Sequence, residues 1–316
     1  MTIPTFDDSD RIDPRELCET LSDFGCFRLR HPALPLERLA GTLDDARAFF
    51  QLSPAVKSEI AIERSPHFRG YSEMKNERDW REQLHLGAEA VSLGTDPPFL
   101  QLEGPNLWPP DRYWRQRMLR YLADVEAAGK EVLASIAAGL GVAPASFVDE
   151  PDRDPYLVMK LICYHPQPEV DARRPGVAAH VDFSWITLTL QDGTGGLEMR
   201  LPNGQWIAID PAPGSLLVHV GEILAFATQG RFEATPHRVI NRLSDRSRLS
   251  IPVFLNPSLQ TTVTPLPFNH IRRPVIDEDH VHRVLSPAET GAPFLYGEAE
   301  WRRKGLNIWC TECVQP

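Results

Sequence analysis

Apolar residues keep a helical period over the first half of the chain and then change to a strand period. "ELCETLSDFG" reads as a short amphipathic helix with Gly25 as its stop. "CFRLR" alternates as a strand would. "PLERLAGTLDDARAFFQL" places Leu36, Leu39, Leu43, Ala46, Phe49 and Phe50 near one stripe of a second helix. The strongest helical signal runs from Arg112 to Leu140. There Trp114, Met118, Tyr121, Val125, Val132, Ile136 and Leu140 recur at three, four and seven, with Gly139 and Gly141 marking the end. Residues 66–91 are polar and aromatic with weak periodicity, and read as an irregular loop and hairpin region.

From Tyr156 the texture changes. "YLVMKLICY", "GVAAHVDF", "WITLTLQ", "GLEMR", "QWIAID", "SLLVHVG", "HRVINR" and "RLSIPVFLN" are short runs separated by turn clusters. About eight strands at such close spacing predict a sandwich or barrel, not an alternating βαβ sheet. "LPNG", after Arg200, is a hairpin turn. Beyond Pro257 the pattern breaks into loop with one or two helices. The expectation is a mainly β fold with flanking helices in one domain: a helix-rich region 1–155, a β core 156–257 and a C-terminal segment 258–316 packing near the active site.

Composition narrows the function. Of 316 residues, 42% are hydrophobic and 24% charged, which is ordinary for a globular protein. The formal net charge of -10 is the wrong sign for a duplex or an anionic membrane surface, so neither nucleic acid nor membrane is expected as a partner. No apolar run reaches the length of a membrane span, and "MTIPTFDDSDRIDP" has no secretory pattern. Five scattered cysteines do not make a disulfide framework, and a cytoplasmic location is expected. The prolines cluster in "DPPF", "WPPD" and "PQPEV" between periodic segments, as rigid connections rather than disorder.

Candidate chemistry begins in "HVDFSWITLTLQDGTGGLEM". Read as one regular strand, it points His180 and Asp182 to the same face, continued by Ser184, Ile186, Leu188 and Leu190. A second imidazole is needed to complete an iron site. His219 lies in an apolar run and reads as a packed strand histidine, whereas His237 opens a late strand. Two histidines and one carboxylate on one face of an octahedron form the non-haem Fe(II) triad, with three positions left open. Arg248 and Ser250 share a face two residues apart, and a guanidinium beside a hydroxyl is a clamp for a carboxylate. A lone His-x-Asp pair is common in strands, so the joint pattern carries the reading.

Together these residues resemble the Fe(II)/2-oxoglutarate-dependent dioxygenases, in particular the isopenicillin N synthase-like branch. "IPTFDDSD", "SDFGCFRLRH", "ARAFFQLSPAVKSEI", "RGY", "GGLEM" and "PHRVIN" resemble landmarks of that branch, so the similarity spans nearly the whole chain. The resemblance implies a double-stranded β-helix core (a jelly-roll, cupin-like fold) with the long helix packed outside. It implies Fe(II) on His180, Asp182 and His237, and 2-oxoglutarate with its distal carboxylate on Arg248 and Ser250. O2 is then the second cosubstrate, succinate and CO2 are released, and a small molecule is hydroxylated, desaturated, cyclised or ring-expanded.

The sequence departs from the family in "LICYHPQP". Cys163 takes the place of a usual Asn and His165 that of the Tyr that helps hold the oxo acid, with Tyr164 between them. His165 is the preferred replacement, and Tyr164 the alternative after a shift of register. Two other functions stay open: a 2-oxoglutarate-independent oxidase of the isopenicillin N synthase type, whose Arg-Ser pair takes a substrate carboxylate, and a cupin-like metal- or ligand-binding protein. Substrate contacts are expected from Arg69, Tyr71, Trp80, Glu82, His85 and Phe254, with residues 294–309 as a cover. Their mixed charge and aromaticity suggest a small polar substrate, amino-acid-derived or a natural-product intermediate. Cys310 and Cys313 form a C-x-x-C pair lacking the further ligands of a zinc site, and "DEDHVH" reads as an acidic helix start.

Overall fold

Helical and strand periods translate into helices that close one face of a large sheet, with a smaller sheet on its other face. The computed structural model describes residues 2–7, 12–76, 78–92, 94–147, 154–166, 175–240, 246–268, 281–282, 284–285 and 291–305. In chain order the elements are β1 (Thr5–Asp7), α1 (Pro14–Phe24), β2 (Cys26–Arg30), α2 (Leu36–Phe50), α3 (Pro54–Glu59), β3 (Gly70–Lys75), β4 (Trp80–Gly87), α4 (Arg112–Leu140) and β5 (Leu157–Tyr164). They continue as β6 (Val177–His180), β7 (Ile186–Gln191), β8 (Leu197–Arg200), β9 (Trp206–Ala208), β10 (Leu216–Val220), α5 (Glu222–Ala227), β11 (His237–Val239), β12 (Arg248–Leu255), β13 (Thr262–Val263), β14 (Phe294–Leu295) and α6 (Tyr296–Arg303).

The eight-stranded sheet has the order β1-β2-β10-β7-β12-β5-β4-β3, and the four-stranded sheet β6-β11-β8-β9. Strands of the N-terminal region extend the large sheet at both edges. Within residues 66–91, where a loop and hairpin region is expected, β3 and β4 form a regular antiparallel pair, and β4 pairs onto β5.

The Asp111 carboxylate caps α4 by accepting from the Tyr113 and Trp114 amides at 2.8 and 3.2 Å. All seven residues of its apolar stripe are buried, in a core that includes Ile186, Leu188 and Leu190 of β7. A second, smaller core lies between the two sheets and includes Ile162, Tyr164, Met199, Leu217 and Val239. Gly141, not Gly139, ends α4 in the left-handed conformation. Gly139 lies inside the helix, where α1 crosses so closely that a Cβ would overlap the Pro14 carbonyl oxygen and crowd the Cys18 sulfur.

One expectation fails in an informative way. "HVDFSWITLTLQ" is not a single strand. β6 ends at His180 in the small sheet and β7 begins at Ile186 in the large one. Residues 181–185 cross between the sheets, which breaks the alternation. Ile186, Leu188 and Leu190 therefore face α4, while Thr187 and Thr189 face the space between the sheets.

The helix-facing side of the large sheet carries a buried charged knot. Lys57 Nζ donates to Glu82 Oε2 at 2.6 Å and to the Phe50 carbonyl at the end of α2 at 3.2 Å. Tyr71 donates its hydroxyl to Glu82 Oε2 at 2.7 Å, and His165 Nε2 lies 2.8 Å from Glu82 Oε1. Burial alone would raise the Glu82 carboxyl, but its bonds from His165, Lys57 and Tyr71 outweigh that and hold it at about 2.

Two stability measurements follow. Gly139→Ala should lower urea-denaturation stability by ~1–3 kcal/mol, because crowding against α1 exceeds the gain in helix propensity. Glu82→Gln should cost ~3 kcal/mol at neutral pH by leaving Lys57 unbalanced. The carboxyl is depressed in the folded state, so its contribution is complete above the ordinary value of 4.5 and is lost as pH falls toward about 2. Stability of the Gln variant should therefore fall less steeply over that range.

Candidate active site

The break between β6 and β7 creates the site. Asp182 sits in the crossing segment, where the first amides of α5 hold the backbone. Glu222 N–H donates to the Asp182 carbonyl at 2.7 Å and Ile223 N–H to the Ser184 carbonyl at 3.1 Å. The Asp182 side chain is turned inward and accepts from the Thr187 hydroxyl at 2.6 Å. β11 pairs with β6 so that His237 lies directly opposite His180. Ligand atoms of His180, Asp182 and His237 all lie within 4.8 Å of one another.

The hydrogen bonds fix which imidazole atoms face inward. Each Nδ1 faces a backbone carbonyl: His180 that of Ala178 at 2.9 Å, His237 that of Thr235 at 3.1 Å. With Nδ1 as the donor, each Nε2 is left with a lone pair, and the two point at Asp182 Oδ1 from 3.6 and 3.7 Å. Two lone pairs and a carboxylate oxygen have no proton to share, and this is the donor set a cation satisfies. Burial, then the neighbouring His237, pushes the His180 imidazole down to about 3, so it is neutral. Burial alone would raise the Asp182 carboxyl, but His237, His219, His180 and the Thr187 hydroxyl outweigh it and hold it below the usual carboxylate range.

His219, read from the sequence as a packed strand histidine, is indeed buried but belongs to this cluster. Its Nε2 lies 3.4 Å from Asp182 Oδ2 and its ring centre 4.7 Å from that of His237. Thr187 stands directly opposite it on β7, so both reach Asp182 from adjacent strands. The sequence signal was the imidazole inside the apolar run "LLVHV", a polar group that needs a buried partner.

A cavity of about 480 Å³ opens from the cluster across the inner face of the large sheet. Arg248 and Ser250 of β12 line it, opposite Tyr164 and Ile162 of β5. Arg248 is 1% exposed. Its Nε donates to the Gly195 carbonyl at 2.6 Å and one Nη to Gln191 Oε1 at 2.9 Å, and its guanidinium lies 5.1 Å from the Tyr164 ring centre. The other Nη is buried with no hydrogen-bond partner among the described residues. A buried guanidinium with a free donor is costly until an anion meets it.

Pleating sorts the remaining candidates. Phe254 lines the cavity. Tyr164 faces it too, whereas His165 lies on the Glu82 side and lines a different cavity with Cys163, so the preference for His165 is corrected to Tyr164. Tyr71, Trp80 and Glu82 fail as substrate contacts because the period of two turns them to the helix-facing side. In their place β3 and β4 present Met74 and Arg81 to the cavity. His85 shares the cavity-side face but lies outside its wall, opposite Lys160. Arg69 is packed over the Tyr156 ring and near the Leu102 carbonyl, away from the cavity. α6 adds Tyr296, Glu300 and Arg303 to the wall, while residues 306–309 and the pair Cys310 and Cys313 lie outside the described residues. Of "DEDHVH", residues 277–280 also lie outside them, and His282 forms a bridge beside His180 rather than a helix. Glu82, Cys163 and His165 also come within ligand distance of one another, but Lys57 already balances that carboxylate.

Comparison with known proteins agrees with this geometry. Residues 154–257 match the 2OG-Fe(II) oxygenase superfamily, and residues 7–111 the N-terminal region of non-haem dioxygenases in morphine synthesis. The chain is 32% identical over 260 residues to the 2-oxoglutarate-Fe(II) type oxidoreductase hxnY of Emericella nidulans, covering 77% of this chain and 72% of that protein. It is 29% identical over 264 residues to a homoarginine-6-hydroxylase of Glycine max, covering 80% of each. A 2OG-Fe(II) oxygenase family protein from Caulobacter crescentus superposes with a TM-score of 0.76 at 25% identity, covering 96% and 98% of the two chains. A Neurospora crassa protein solved with alpha-KG and thymine shares the fold, with a TM-score of 0.76 at 21% identity over 96% of each chain. Among the described residues no helix is long and apolar enough to cross a membrane. The chain thus has the jelly-roll fold of the Fe(II)/2-oxoglutarate-dependent dioxygenases and belongs to that family of oxidoreductases.

Proposed function

We propose that this enzyme hydroxylates a small-molecule substrate in the cavity beside His180, Asp182 and His237. The observation that carries the reading is the joint presence, in one cavity, of two imidazole lone pairs aimed at a carboxylate and a buried guanidinium with an unused donor. Fe(II) would be held by His180 Nε2, His237 Nε2 and Asp182. The distal carboxylate of 2-oxoglutarate would be received by Arg248 and by the Ser250 hydroxyl, with Tyr164 stacked beside the guanidinium. Bound Fe(II) and 2-oxoglutarate supply the oxygen activation. The balance is one substrate C–H, one O2 and one oxo acid going to the alcohol, succinate and CO2.

The chain's own residues bind, orient and shield. Thr187 and His219 hold Asp182 to one orientation, which keeps its inward oxygen toward the imidazoles. The Ala178 and Thr235 carbonyls fix the tautomers. The wall contributed by Phe183, Phe254 and Tyr296 lowers the local water content around the reacting carbon. Hydroxylation is favoured among the family's outcomes because several relatives are named hydroxylases, the Glycine max homoarginine enzyme among them.

The test starts without oxygen. Fe(II) followed by 2-oxoglutarate should give a visible metal-to-ligand charge-transfer band, and admitting oxygen should yield succinate. Iron binding without the band, with oxygen uptake on a carboxylate substrate, would instead indicate an oxidase that uses no oxo acid. Absence of iron binding would defeat the assignment. His237→Ala should abolish the band and turnover while circular dichroism stays unchanged. Arg248→Gln should weaken 2-oxoglutarate by roughly ten- to a hundredfold, the worth of a charge-assisted hydrogen bond, with Fe(II) affinity retained. Thr187→Val should lower Fe(II) affinity by about tenfold or more, the usual consequence of freeing a ligating carboxylate.

A further inference from the structure

Charge in the cavity is unbalanced beyond the Arg248 clamp. β5 has a single residue that is only half-buried, Lys160, and its side chain lines the cavity. Its Nζ lies 5.1 Å from the centre of the Phe254 ring and makes no hydrogen bond or ion pair with a described residue. Apart from the exposed Arg78, the other charges of Arg81, Glu300 and Arg303 in that wall are engaged. Arg81 is paired with Asp79 at 2.9 Å, although its Nε is buried without a hydrogen-bond partner. Glu300 is gripped by Arg303 at 2.5 and 2.6 Å and lies 3.5 Å from Lys304. Burial and the like charges of Arg81, Arg303 and Lys304 outweigh the attraction of Asp182 and push the Lys160 ammonium down to about 7.

The location separates this charge from the cosubstrate clamp. Arg248 faces Tyr164 and Ser250 faces Ile162 across the β12–β5 ladder. Lys160 lies four residues before Tyr164, the partner of Arg248, so the backbone positions that carry the two cations stand about 13 Å apart along the strands. One 2-oxoglutarate carboxylate on Arg248 therefore leaves Lys160 unanswered. β5 is also two strands from β7, which carries Thr187 and with it Asp182, a lateral separation of about 10 Å. Between them the wall is apolar, with Phe254 on β12 and Phe183 in the crossing segment.

We propose that the substrate of this site is a monocarboxylate, whose carboxylate is received by Lys160 with Arg81 alongside and whose apolar body lies against Phe254 and Phe183. The inference rests on the oxygenase reading of the cavity and adds the substrate's charge and its polarity of binding. The carbon that reacts lies several bonds from the carboxylate, because the lysine stands away from the His180, Asp182 and His237 cluster. One free ammonium beside a guanidinium that is already paired suits a single negative charge better than a phosphate ester.

The test uses the enzyme loaded with Fe(II) and 2-oxoglutarate under argon. Calorimetry follows the binding of a panel of aliphatic and arylalkyl carboxylates, each paired with its primary amide. At least one carboxylate should bind about tenfold or more tightly than its amide, the worth of a charge-assisted hydrogen bond. Lys160→Met and Lys160→Gln should both erase that preference while the charge-transfer band with 2-oxoglutarate remains. A panel in which no carboxylate outbinds its amide overturns the inference, as does a preference that survives in both variants. A wild-type protein that forms no 2-oxoglutarate complex overturns the oxygenase reading, and this inference with it. One that forms the complex but shows no carboxylate preference overturns the inference alone.

Discussion

A buried carboxylate among imidazoles is stable in only a few arrangements, and the protein's architecture is organised around keeping one of them. Asp182 lies in a segment that belongs to neither sheet, where no ladder fixes its side chain. Its position depends on the first amides of α5 bonding to the crossing backbone, and on Thr187 and His219 reaching it from two adjacent strands of the large sheet. The two imidazoles arrive from the small sheet, opposite one another on β6 and β11. The cluster is therefore a joint between the sheets, and the packing of those sheets on their shared core sets its spacing.

The large sheet separates two kinds of charge. Its helix-facing side closes a knot in which Glu82 answers Lys57, Tyr71 and His165, and which ties α2, α3, β3, β4 and the residue after β5 together. The inner side instead leaves positive groups unanswered, at Arg248 and at Lys160. Buried charges that satisfy one another serve stability. Buried charges left open imply a ligand that completes them.

Much of this was legible in the residues. Helix α4 follows from its apolar stripe, and the β core follows from the density of short Val-, Ile- and Leu-rich runs. Arg248 and Ser250 share the cavity because both stand on one regular strand, where a period of two is reliable. Errors arose where the period was assumed across a break or counted from the wrong residue. A single extended strand through His180 and Asp182 points to a pair that the structure does bring together, but by a different geometry. At the end of β5 the family pattern matches His165 to the Tyr position, whereas the face that meets the cavity belongs to Tyr164. Trp80 and Glu82 have chemistry suited to a substrate, but they occupy the helix-facing side of β4.

Sequence alone thus determined the residue types that can bind a metal and a carboxylate, the family to which they belong and the elements that carry them. These depend on local periodicity and on side-chain chemistry, both of which are written along the chain. Tertiary structure decided which face each strand presents, that His219 joins the cluster and Glu82 does not, and that Lys160 stands in the cavity without a hydrogen-bond or ion-pair partner among the described residues. Those facts depend on how distant strands register and on where the chain changes sheets, and one residue of register reverses every assignment on a strand.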